Sequence, residues 1–250
     1  MNGARDLGPR LVDFSMSNNF AGKRILVTGA SGMIGTALVL HFLEQGALVV
    51  AHVNQRALET PAHPNLSSVV ADLGKIGAGK ELMAAVGPID FAINNAAQQD
   101  VALLTETSAE AMAALFQVNL LAACDVMIQA HALGAQAVVN ISSIEAIAPR
   151  RGHSVYGATK AALDSITRSG AAELAPMRVN GLRLGLIGRP SINQSWPTGV
   201  AAWNSRSPLG RYGSPEEVCG AVEFLLSDAS AWCTGAILDF DGGMGTVAPW

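Results

Sequence analysis

The segment RILVTGASGMIG, residues 24–35, constrains the fold of this chain more than any other. A short β-branched run ends at Gly29, which opens a series of three glycines, and apolar residues then recur at helical spacing from Ile34 to Leu43. A strand, a glycine turn and a helix in this order form the first part of a βαβ unit, whose crossover is right-handed. The segment therefore predicts an α/β fold with a parallel sheet.

Strand and helix patterns alternate along the rest of the chain. The predicted strands cover residues 24–29, 47–53, 67–70, 89–94, 135–142, 177–184 and 235–240. The predicted helices cover residues 34–43, 108–133, 155–174 and 215–226. We find no repeat, low-complexity tract or linker. We therefore predict a single doubly wound Rossmann-type domain over residues 23–250, with a parallel seven-stranded sheet and helices on both faces, after an N-terminal extension over residues 1–22.

Composition argues against several classes of function. Half of the 250 residues are hydrophobic and 14% are charged, which favours a sizeable core over disorder. The net charge of -4 and the lack of a basic run argue against nucleic-acid binding. Cys124, Cys219 and Cys233 are too widely spaced for a metal site or a disulfide framework. Without a signal-peptide pattern or a membrane-spanning stretch, we expect a soluble cytoplasmic protein with no metal, nucleic-acid or membrane partner.

Each glycine of the first turn has a physical reason to be glycine. Gly29, Gly32 and Gly35 suit a tight turn, a close backbone approach to a pyrophosphate, and close contact between helix and sheet. The N-terminus of the following helix then presents unpaired N–H groups to the phosphates. An ordinary glycine-rich turn is the alternative. The position between a predicted strand and a predicted helix favours a dinucleotide site.

The end of the second strand bears on which dinucleotide binds. NAD sites usually carry Asp or Glu there, where the carboxylate binds the ribose 2′-hydroxyl. Here Val53 occupies the expected position, and Asn54 and Arg56 follow it. Nothing then repels a 2′-phosphate, and an arginine pairs well with one; an Arg56 that is merely solvated in a loop is the alternative. We predict that NADP(H) is favoured over NAD(H).

In HSVYGATK, residues 153–160, a tyrosine and a lysine stand one helical turn apart. A phenol with its ordinary pKa of about 10 is a poor acid or base at neutral pH, and a nearby ammonium favours the phenolate and lowers that pKa. The spacing by itself also fits an exposed tyrosine beside a solvated lysine. With a nucleotide loop upstream, we interpret Tyr156 and Lys160 as a catalytic pair.

Further motifs follow in a fixed order. They are TGASGMIG, ADL with Asp72, NNAA over residues 94–97, VNLLA with Asn119, ISS over residues 141–143, YGATK, RVNGLRLG and the tail TGAILDFDGG. On these motifs the chain resembles the short-chain dehydrogenase/reductase family from Lys23 to Gly243, and its shorter-chain branch in particular. Three positions depart from the family pattern: Met33 and Ala97 replace usual glycines, and Leu184 replaces a proline before Gly185.

The resemblance implies a catalytic tetrad of Asn119, Ser143, Tyr156 and Lys160. Ser143, thirteen residues before Tyr156, would hydrogen-bond the substrate oxygen, and Tyr156 would donate or accept the proton. Lys160 would lower the tyrosine pKa and bind the nicotinamide ribose. Asn119 would kink its helix and order a water that leads toward the lysine.

The resemblance also implies the cofactor contacts. Asp72 would bind the adenine amino group, although as a bare feature it also fits an N-cap of the next helix. Asn94 would brace the central strands, and Ile187 would contact the nicotinamide carboxamide. The predicted cofactor-binding residues are Gly29, Ser31, Gly32, Met33, Ile34, Gly35, Asn54, Arg56, Asp72, Leu73, Asn95, Ala96, Tyr156, Lys160, Gly185 and Ile187.

Substrate pockets of this family lie after the serine, before the tyrosine and after the sixth strand. The corresponding predicted contacts are Ser143, Glu145, Arg150, His153, Tyr156 and Trp196, with a substrate loop over residues 188–213. Charged side chains beside the tetrad favour a sugar, a polyol or a hydroxy-ketone; arginines that face solvent or another subunit are the alternative. We predict an NAD(P)-dependent oxidoreductase that transfers a hydride between nicotinamide and a secondary alcohol or ketone.

Three other functions remain open at this point. One is the reduction of 3-oxoacyl compounds or hydrophobic ketones. Another is an epimerase or dehydratase, which usually needs a larger C-terminal substrate domain. The last is a regulator that binds dinucleotide without turnover; such proteins tend to lose the tyrosine or the lysine, and this chain keeps both.

The predicted helices also bear on assembly. Those over residues 108–133 and 155–174 carry apolar residues on more than one face, so the sheet alone does not cover them. In the resembling family the equivalent helices pair across a two-fold axis. We therefore predict a homotetramer, in which the terminal Trp250 is buried against a neighbouring subunit.

Overall fold

A computed structural model describes residues 20–247 of the chain. Its seven strands form one sheet in the order β3-β2-β1-β4-β5-β6-β7, and every neighbouring pair is parallel. The strands are β1 (Arg24–Val27), β2 (Leu48–Val53), β3 (Leu66–Val70), β4 (Phe91–Asn94), β5 (Ala137–Ser143), β6 (Arg178–Leu184) and β7 (Ile237–Phe240). The predicted fold class is confirmed, strand for strand.

Helices lie on both faces of this sheet. They are α1 (Met33–Glu44), α2 (Ala78–Val86), α3 (Ala109–Phe116), α4 (Ala122–Ala132), α5 (Ser154–Glu173), α6 (Ile192–Ser195), α7 (Pro197–Arg206) and α8 (Pro215–Leu226). The sequence did not predict α2, α6 or α7; the last two lie inside the predicted substrate loop.

Two glycines that weaken the helical pattern of α2 are needed by its surroundings. Gly77, just before the helix, has a left-handed φ of 80°, which suits glycine. Inside the helix, a Cβ on Gly79 would lie 2.6 Å from the Ala122 carbonyl oxygen of α4. Glycine at this position therefore allows α2 to pack closely on α4.

The single helix predicted over residues 108–133 is interrupted. After α3, a π-helical turn covers Gln117–Leu121, and Asn119 lies at its centre. An 18-residue stretch inside the run from Ala109 to Ala132 has a mean hydropathy of 1.8, and the run is long enough to cross a membrane by length and composition. Within this domain α4 packs on α2 and β4, so the run is a partly buried element of the domain.

Apolar clusters cover the two faces of the sheet separately. On one face, Phe42 of α1 and Val222 of α8 belong to a cluster that covers β1 and β5. On the other face, Met83 of α2 and Met127 of α4 belong to a second cluster. The sheet is therefore covered on both faces, as expected for parallel strands that are apolar on either side.

The core extends beyond the predicted N-terminal boundary of the domain. Phe20 is fully buried, and its ring centroid lies 5.0 Å from that of Phe42 and 5.6 Å from that of Phe91. The domain therefore includes Phe20, which the sequence analysis placed in the extension. Residues 1–19 and the predicted interface residue Trp250 lie outside the described residues.

The order of the strands reverses at β1. Val27 at the end of β1 lies opposite Ala51 of β2 on one side and Ile93 of β4 on the other. The chain crosses to opposite faces on the two sides of this strand, and such a switch point leaves a crevice at the carboxyl ends of the strands. Both the glycine-rich turn and the residues after β4 open into this crevice.

Candidate active site

A groove of about 850 Å³ lies at the carboxyl ends of β1, β2, β3 and β4. Eleven of the sixteen predicted cofactor residues line it. They are Gly29, Ser31, Gly32, Met33, Ile34, Gly35, Asn54, Asp72, Leu73, Asn95 and Ala96. The groove thus brings together residues from four separate segments that the sequence analysis assigned to one dinucleotide.

The glycine turn leaves no room for side chains on its inner side. Gly29 has φ +65°, and a Cβ there would lie 2.8 Å from the Cα of Ala96. A Cβ on Gly35 would lie 2.2 Å from the carbonyl oxygen of Gly29. Gly32 is the N-cap of α1 and has no side chain to occupy the first N–H groups of the helix. The residues present therefore fit a pyrophosphate above the N-terminus of α1.

The position of Met33 in the helix shows why glycine is not required at residue 33. Met33 is the first residue of α1 and lines the groove. A residue with helical backbone angles does not need the conformational freedom of glycine. The methionine is therefore compatible with the turn, although the family usually has glycine there.

The wall opposite the glycine turn is fixed by a small hydrogen-bond network. The Asn95 side chain donates from Nδ2 to the carbonyl oxygens of Thr28, at 3.0 Å, and Gly29, at 3.1 Å. In return the Thr28 hydroxyl accepts from the backbone N–H groups of Asn95 and Ala96, both at 3.0 Å. These bonds hold the ends of β1 and β4 together beside the groove.

The structure corrects one step of the argument for cofactor choice. Val53 is 5% exposed and belongs to a core cluster, so its side chain does not face a ribose. Asn54 lines the groove instead, whereas Arg56 is exposed and lies outside the lining. The residue that takes the place of the usual carboxylate is therefore Asn54, one position later than expected.

Asp72 does not cap a helix. Its Oδ1 accepts from the backbone N–H of Gly74 at 3.0 Å, and α2 begins only at Ala78, after Gly77. The carboxylate thus closes a short turn at the rim of the groove. This arrangement removes the alternative of an N-cap and leaves Asp72 on the side where the resemblance places the adenine.

Asn119 connects the loop after β4 with α5, the helix that carries Tyr156 and Lys160. Its Oδ1 accepts from the backbone N–H of Gln98 at 2.7 Å, and its Nδ2 donates to the Gln98 carbonyl oxygen at 2.9 Å. The same Nδ2 donates to Thr159 Oγ1 at 3.0 Å. Asn119 therefore fixes the loop after β4 against α5, next to Lys160.

The other three members of the predicted tetrad lie around the end of β5. Ser143 is its last residue, and Tyr156 and Lys160 lie on α5. Lys160 is 2% exposed, and its Nζ donates to the Ile141 carbonyl oxygen at 2.8 Å. The same Nζ lies 5.7 Å from the centroid of the Tyr156 ring.

The protonation of Tyr156 differs from the expectation. Burial raises the pKa of Tyr156 to about 12, while a hydrogen bond with Ser143 acts in the opposite direction. Burial also lowers the pKa of Lys160 to about 8, against the charge of Asp164. The sequence analysis predicted that Lys160 lowers the tyrosine pKa; in the protein chain alone, loss of solvent around the phenol is the largest effect, and it raises the pKa.

The predicted substrate residues form a buried polar cluster next to Tyr156. His153 Nδ1 lies 3.1 Å from Glu145 Oε2 and 3.0 Å from Nε2 of Gln99. Among the residues that the structure describes, His153 Nε2 and Glu145 Oε2 have no hydrogen-bond partner. Burial raises the pKa of Glu145 and lowers that of His153, so the neutral form of each is favoured.

The segment after β6 closes this end of the site. The Arg150 guanidinium lies 4.7 Å from the centroid of the Trp196 ring, between α6 and α7. A Cβ on Gly185 would lie 2.8 Å from the Trp203 ring, so glycine allows α7 to approach β6. Ile187 forms a parallel bridge with Gly213. Gly185 and Ile187 thus lie at the nicotinamide end of the predicted site, outside the lining of the groove.

Sequence reasoning missed several residues of the site. His52, Gln98 and Gln99 line the groove, and Thr159 holds Asn119. His52 had a usable signal, because it is the one polar residue in the apolar strand LVVAHV. The glutamines had none, since they lie in a loop whose path depends on Asn119.

Comparison with known proteins agrees with this geometry. A family model described as enoyl-(acyl carrier protein) reductase matches residues 29–245. The chain is 37% identical to L-xylulose reductase of Bos taurus, over 91% of this chain and 98% of that enzyme. It is 36% identical to D-erythrulose reductase of Gallus gallus, over 90% of this chain and 96% of that enzyme.

A solved structure gives the same result. Gluconate 5-dehydrogenase from Burkholderia cenocepacia J2315, in complex with NADP and tartrate, matches with a TM-score of 0.80 at 30% identity. The match covers 92% of this chain and 98% of that one. The fold, the groove and these similarities agree, and we conclude that this chain belongs to the short-chain dehydrogenase/reductase family and is an oxidoreductase that uses NAD(P).

Proposed function

We propose that this enzyme transfers a hydride between NADP(H) and a secondary alcohol or ketone of a small, hydroxyl-rich substrate. The observation that carries the substrate class is the cluster of polar side chains beside Tyr156, in which His153 Nδ1 lies 3.1 Å from Glu145 Oε2 and the His153 ring centroid lies 6.4 Å from that of Tyr156. Polar groups that converge in a site fix a ligand through hydrogen bonds. A sugar, a polyol or a hydroxy-ketone offers hydroxyl groups for such bonds.

The names of the relatives support this substrate class. L-xylulose, D-erythrulose and gluconate, which appear in those names, are all small and rich in hydroxyl groups. Arg150 adds a positive charge beside the pair and stacks on Trp196, an arrangement that also suits a hydroxy acid.

When bound, the reduced cofactor would supply a hydride, and with it two electrons, to the carbonyl carbon. The Tyr156 hydroxyl would donate its proton to the carbonyl oxygen, and the Ser143 hydroxyl would donate a hydrogen bond to the same oxygen. The products would be the alcohol, the oxidised cofactor and a tyrosinate, which regains its proton from solvent. Lys160 would stabilise the tyrosinate by its charge and bind the nicotinamide ribose.

Reduction and oxidation need different protonation states of the phenol, because reduction needs the hydroxyl and oxidation needs the tyrosinate. Burial raises the pKa of Tyr156 to about 12 in the protein chain alone. The form favoured there is the hydroxyl, which donates the proton in the reduction.

We also propose a preference for NADP(H) over NAD(H). The groove residue after β2 is Asn54, which has no charge to repel a 2′-phosphate, and the exposed Arg56 follows within two residues. The NADP complex of gluconate 5-dehydrogenase is in agreement.

The test of the cofactor proposal is Asn54→Asp. A carboxylate at this position repels a 2′-phosphate and accepts hydrogen bonds from a 2′-hydroxyl, so kcat/KM should shift toward NADH. Val53→Asp is the matched control; its carboxylate would be buried in the core, so it should destabilise the fold rather than change the cofactor preference. A wild-type enzyme that prefers NADH would contradict the proposal.

Reduction of the ketone of a 3-oxoacyl thioester is the second candidate, because the chain is 33% identical to a 3-oxoacyl-[acyl-carrier-protein] reductase of Thermotoga maritima over 89% of this chain. Absorbance of NADPH with purified enzyme distinguishes the two. We expect NADPH oxidation with L-xylulose or D-erythrulose and little with a 3-oxoacyl thioester. The reverse result would establish the second candidate, and cofactor binding without turnover on any ketone would identify a regulator.

We further propose a cytoplasmic homotetramer. Leu121 and Ile128 on the α3–α4 run are each 50% exposed. Phe224 on α8 is 46% exposed and Trp232 is fully exposed. Two separate apolar surfaces suit two interfaces of a closed assembly. Cys124, Cys219 and Cys233 are free thiols, which supports a reducing compartment.

A further inference from the structure

His52 is a buried polar residue in an otherwise apolar strand. It lies one position before the end of β2 and is 2% exposed. Its Nδ1 lies 3.1 Å from the backbone nitrogen of Gly29, and its Nε2 lies 3.1 Å from the carbonyl oxygen of Ala71. The imidazole therefore spans from the glycine turn to the segment after β3.

The two bonds fix the state of the ring. The backbone N–H of Gly29 can only donate, so Nδ1 must accept and carries no proton. The Ala71 carbonyl can only accept, so Nε2 must carry the proton. His52 is thus neutral, in the Nε2–H tautomer. Burial lowers the pKa of His52, against the bond to Ala71, which agrees with this assignment.

One partner of the ring lines the groove and the other adjoins its lining. Gly29 is the first glycine of the turn, and Ala71 directly precedes the lining residues Asp72 and Leu73 after β3. The backbone of His52 adds a third bond, because its carbonyl oxygen accepts from the N–H of Ala30 at 2.9 Å. One residue therefore holds the turn by its main chain and connects the two walls by its side chain.

From this geometry we propose that His52 is a positioning residue for the dinucleotide. It sets the separation between the glycine turn and the segment after β3 that carries Asp72 and Leu73. It does so only as the neutral Nε2–H tautomer. This inference rests on the proposed NADP(H) site. His52 makes no contribution to proton or hydride transfer in this role; it acts through the shape of the groove.

The proposal predicts a dependence on pH with a definite sign. Protonation puts an N–H on Nδ1, directly opposite the N–H of Gly29, so the bond is replaced by a repulsive contact. Cofactor affinity should therefore fall as the pH decreases below the ordinary histidine range, with the neutral form sufficient above it. Residues 28–35 of the turn contain no titratable side chain, the segment after β2 carries Arg56, and the segment after β3 carries Asp72 and Lys75.

Two substitutions distinguish the loss of the His52 hydrogen bonds from a general loss of packing around the ring. In His52→Asn the side-chain oxygen can still accept from Gly29, whereas the amide has no ring pKa. In His52→Phe both bonds are lost, and the Gly29 N–H and Ala71 carbonyl lose their partner. His63→Asn is the control, since His63 Nδ1 accepts from the backbone N–H of Asn65 at 3.1 Å in an exposed position outside the groove.

The experiment measures the Kd of NADPH by fluorescence titration at several pH values, together with thermal unfolding of each variant without cofactor. We expect His52→Phe to bind about tenfold more weakly, as for the loss of buried hydrogen bonds. His52→Asn should bind within about threefold of wild type at neutral pH. It should also lose the part of the acid dependence that belongs to the histidine, while His63→Asn behaves as wild type.

The remaining acid dependence in His52→Asn measures titration of the 2′-phosphate, which all variants share. An unchanged Kd in His52→Phe, with or without a lower melting temperature, would overturn the proposal, and so would identical pH profiles of wild type and His52→Asn. If wild type bound neither NADPH nor NADH, the proposed function itself would fail, which is a different outcome. The ¹⁵N shifts of the His52 ring give an independent check, because they distinguish the Nε2–H tautomer from the other one.

Discussion

Burial controls the chemistry of individual residues in this site. Tyr156, Lys160, Glu145 and His153 all have pKa values moved toward their neutral forms, and loss of solvent is the largest cause for each. Perturbed ionisation of several neighbouring side chains is typical of functional sites. Two predictions follow from the tyrosine and the lysine.

Tyr156→Phe keeps the ring and removes the proton donor. Turnover should fall by about 10²–10⁴-fold, the usual contribution of general acid catalysis. The Kd of NADPH should change little, because the hydroxyl acts on the substrate oxygen. Single-turnover kinetics and a cofactor titration check both parts, and near-normal turnover in this variant would remove Tyr156 from the mechanism.

Lys160→Met should stabilise the fold while it abolishes activity. Because burial lowers the pKa of Lys160 from 10.5 to about 8, the folded state disfavours the ammonium, and an apolar side chain avoids that cost. We expect a gain of about 1–3 kcal/mol near neutral pH. The gain should shrink as the pH rises from about 8 to 10.5, where the lysine of the unfolded chain also loses its proton.

Thermal unfolding of Lys160→Met and wild type, measured across this range of pH, checks the prediction. Lys75→Met is a suitable control, because Lys75 is exposed and its substitution should change stability little. A Lys160 variant that is less stable than wild type at neutral pH would mean that the bond to the Ile141 carbonyl outweighs the cost of burial.

At the scale of elements, the close packing of α2 on α4 explains why the sequence did not predict α2. Gly79 in α2 lies against Ala122 and Asp125 of α4. Gly79→Ala places a methyl group 2.6 Å from the Ala122 carbonyl oxygen, so the helices must separate. We expect a loss of about 1–3 kcal/mol in the free energy of unfolding.

Gly220→Ala is the matched control for this prediction. Gly220 also lies inside a helix, α8, but a Cβ there meets nothing within 4 Å among the described residues. It should therefore be neutral or stabilise by up to about 1 kcal/mol, as expected from helix propensity. Chemical denaturation of both variants provides the comparison. Equal changes in the free energy of unfolding of the two variants would show that helix propensity, rather than packing, determines the effect of Gly79→Ala.

The elements differ in how well the sequence predicted them. All seven strands were predicted. The central strands are buried apolar runs, which are a strong local signal, whereas β3 and β7 are partly exposed. The π-helical turn at Asn119 was not visible as a break in periodicity, since one extra residue hardly changes an apolar pattern. The helix α2 was missed because two glycines weaken its local pattern: Gly77 has a left-handed backbone conformation, and Gly79 allows the contact with α4.

The site shows the same division. Most groove residues were predictable from motifs, because their spacing is imposed by the strand ends. The catalytic role of the tetrad stays a prediction. The directions in which the side chains of Val53 and Asn54 point could not be predicted, because they depend on which side of β2 packs on the core. The raised pKa of Tyr156 could not be predicted either, because it follows from the exclusion of solvent around the phenol in the folded chain.

The whole molecule has two apolar surfaces that suit assembly, around Leu121 and Ile128 and around Phe224 and Trp232. We expect light scattering at micromolar concentration to give about four times the chain mass of 25.8 kDa. Trp232→Glu should reduce the mass to that of a dimer by removing one interface. A monomer in the wild type would refute the assembly, and a wild-type dimer would leave one of the two surfaces uncovered.

The segment that carries α6 and α7 has a separate consequence. Its side chains bond mainly with each other and with the nearby residues Arg211, Tyr212 and Gly242, and it meets the catalytic side of the molecule through Arg150 and Trp196. The groove for the dinucleotide draws no lining residue from it. Exchange of this short segment can therefore alter which substrate the enzyme binds while the groove for the dinucleotide stays unchanged. One scaffold of this kind can thus give rise to many catalysts.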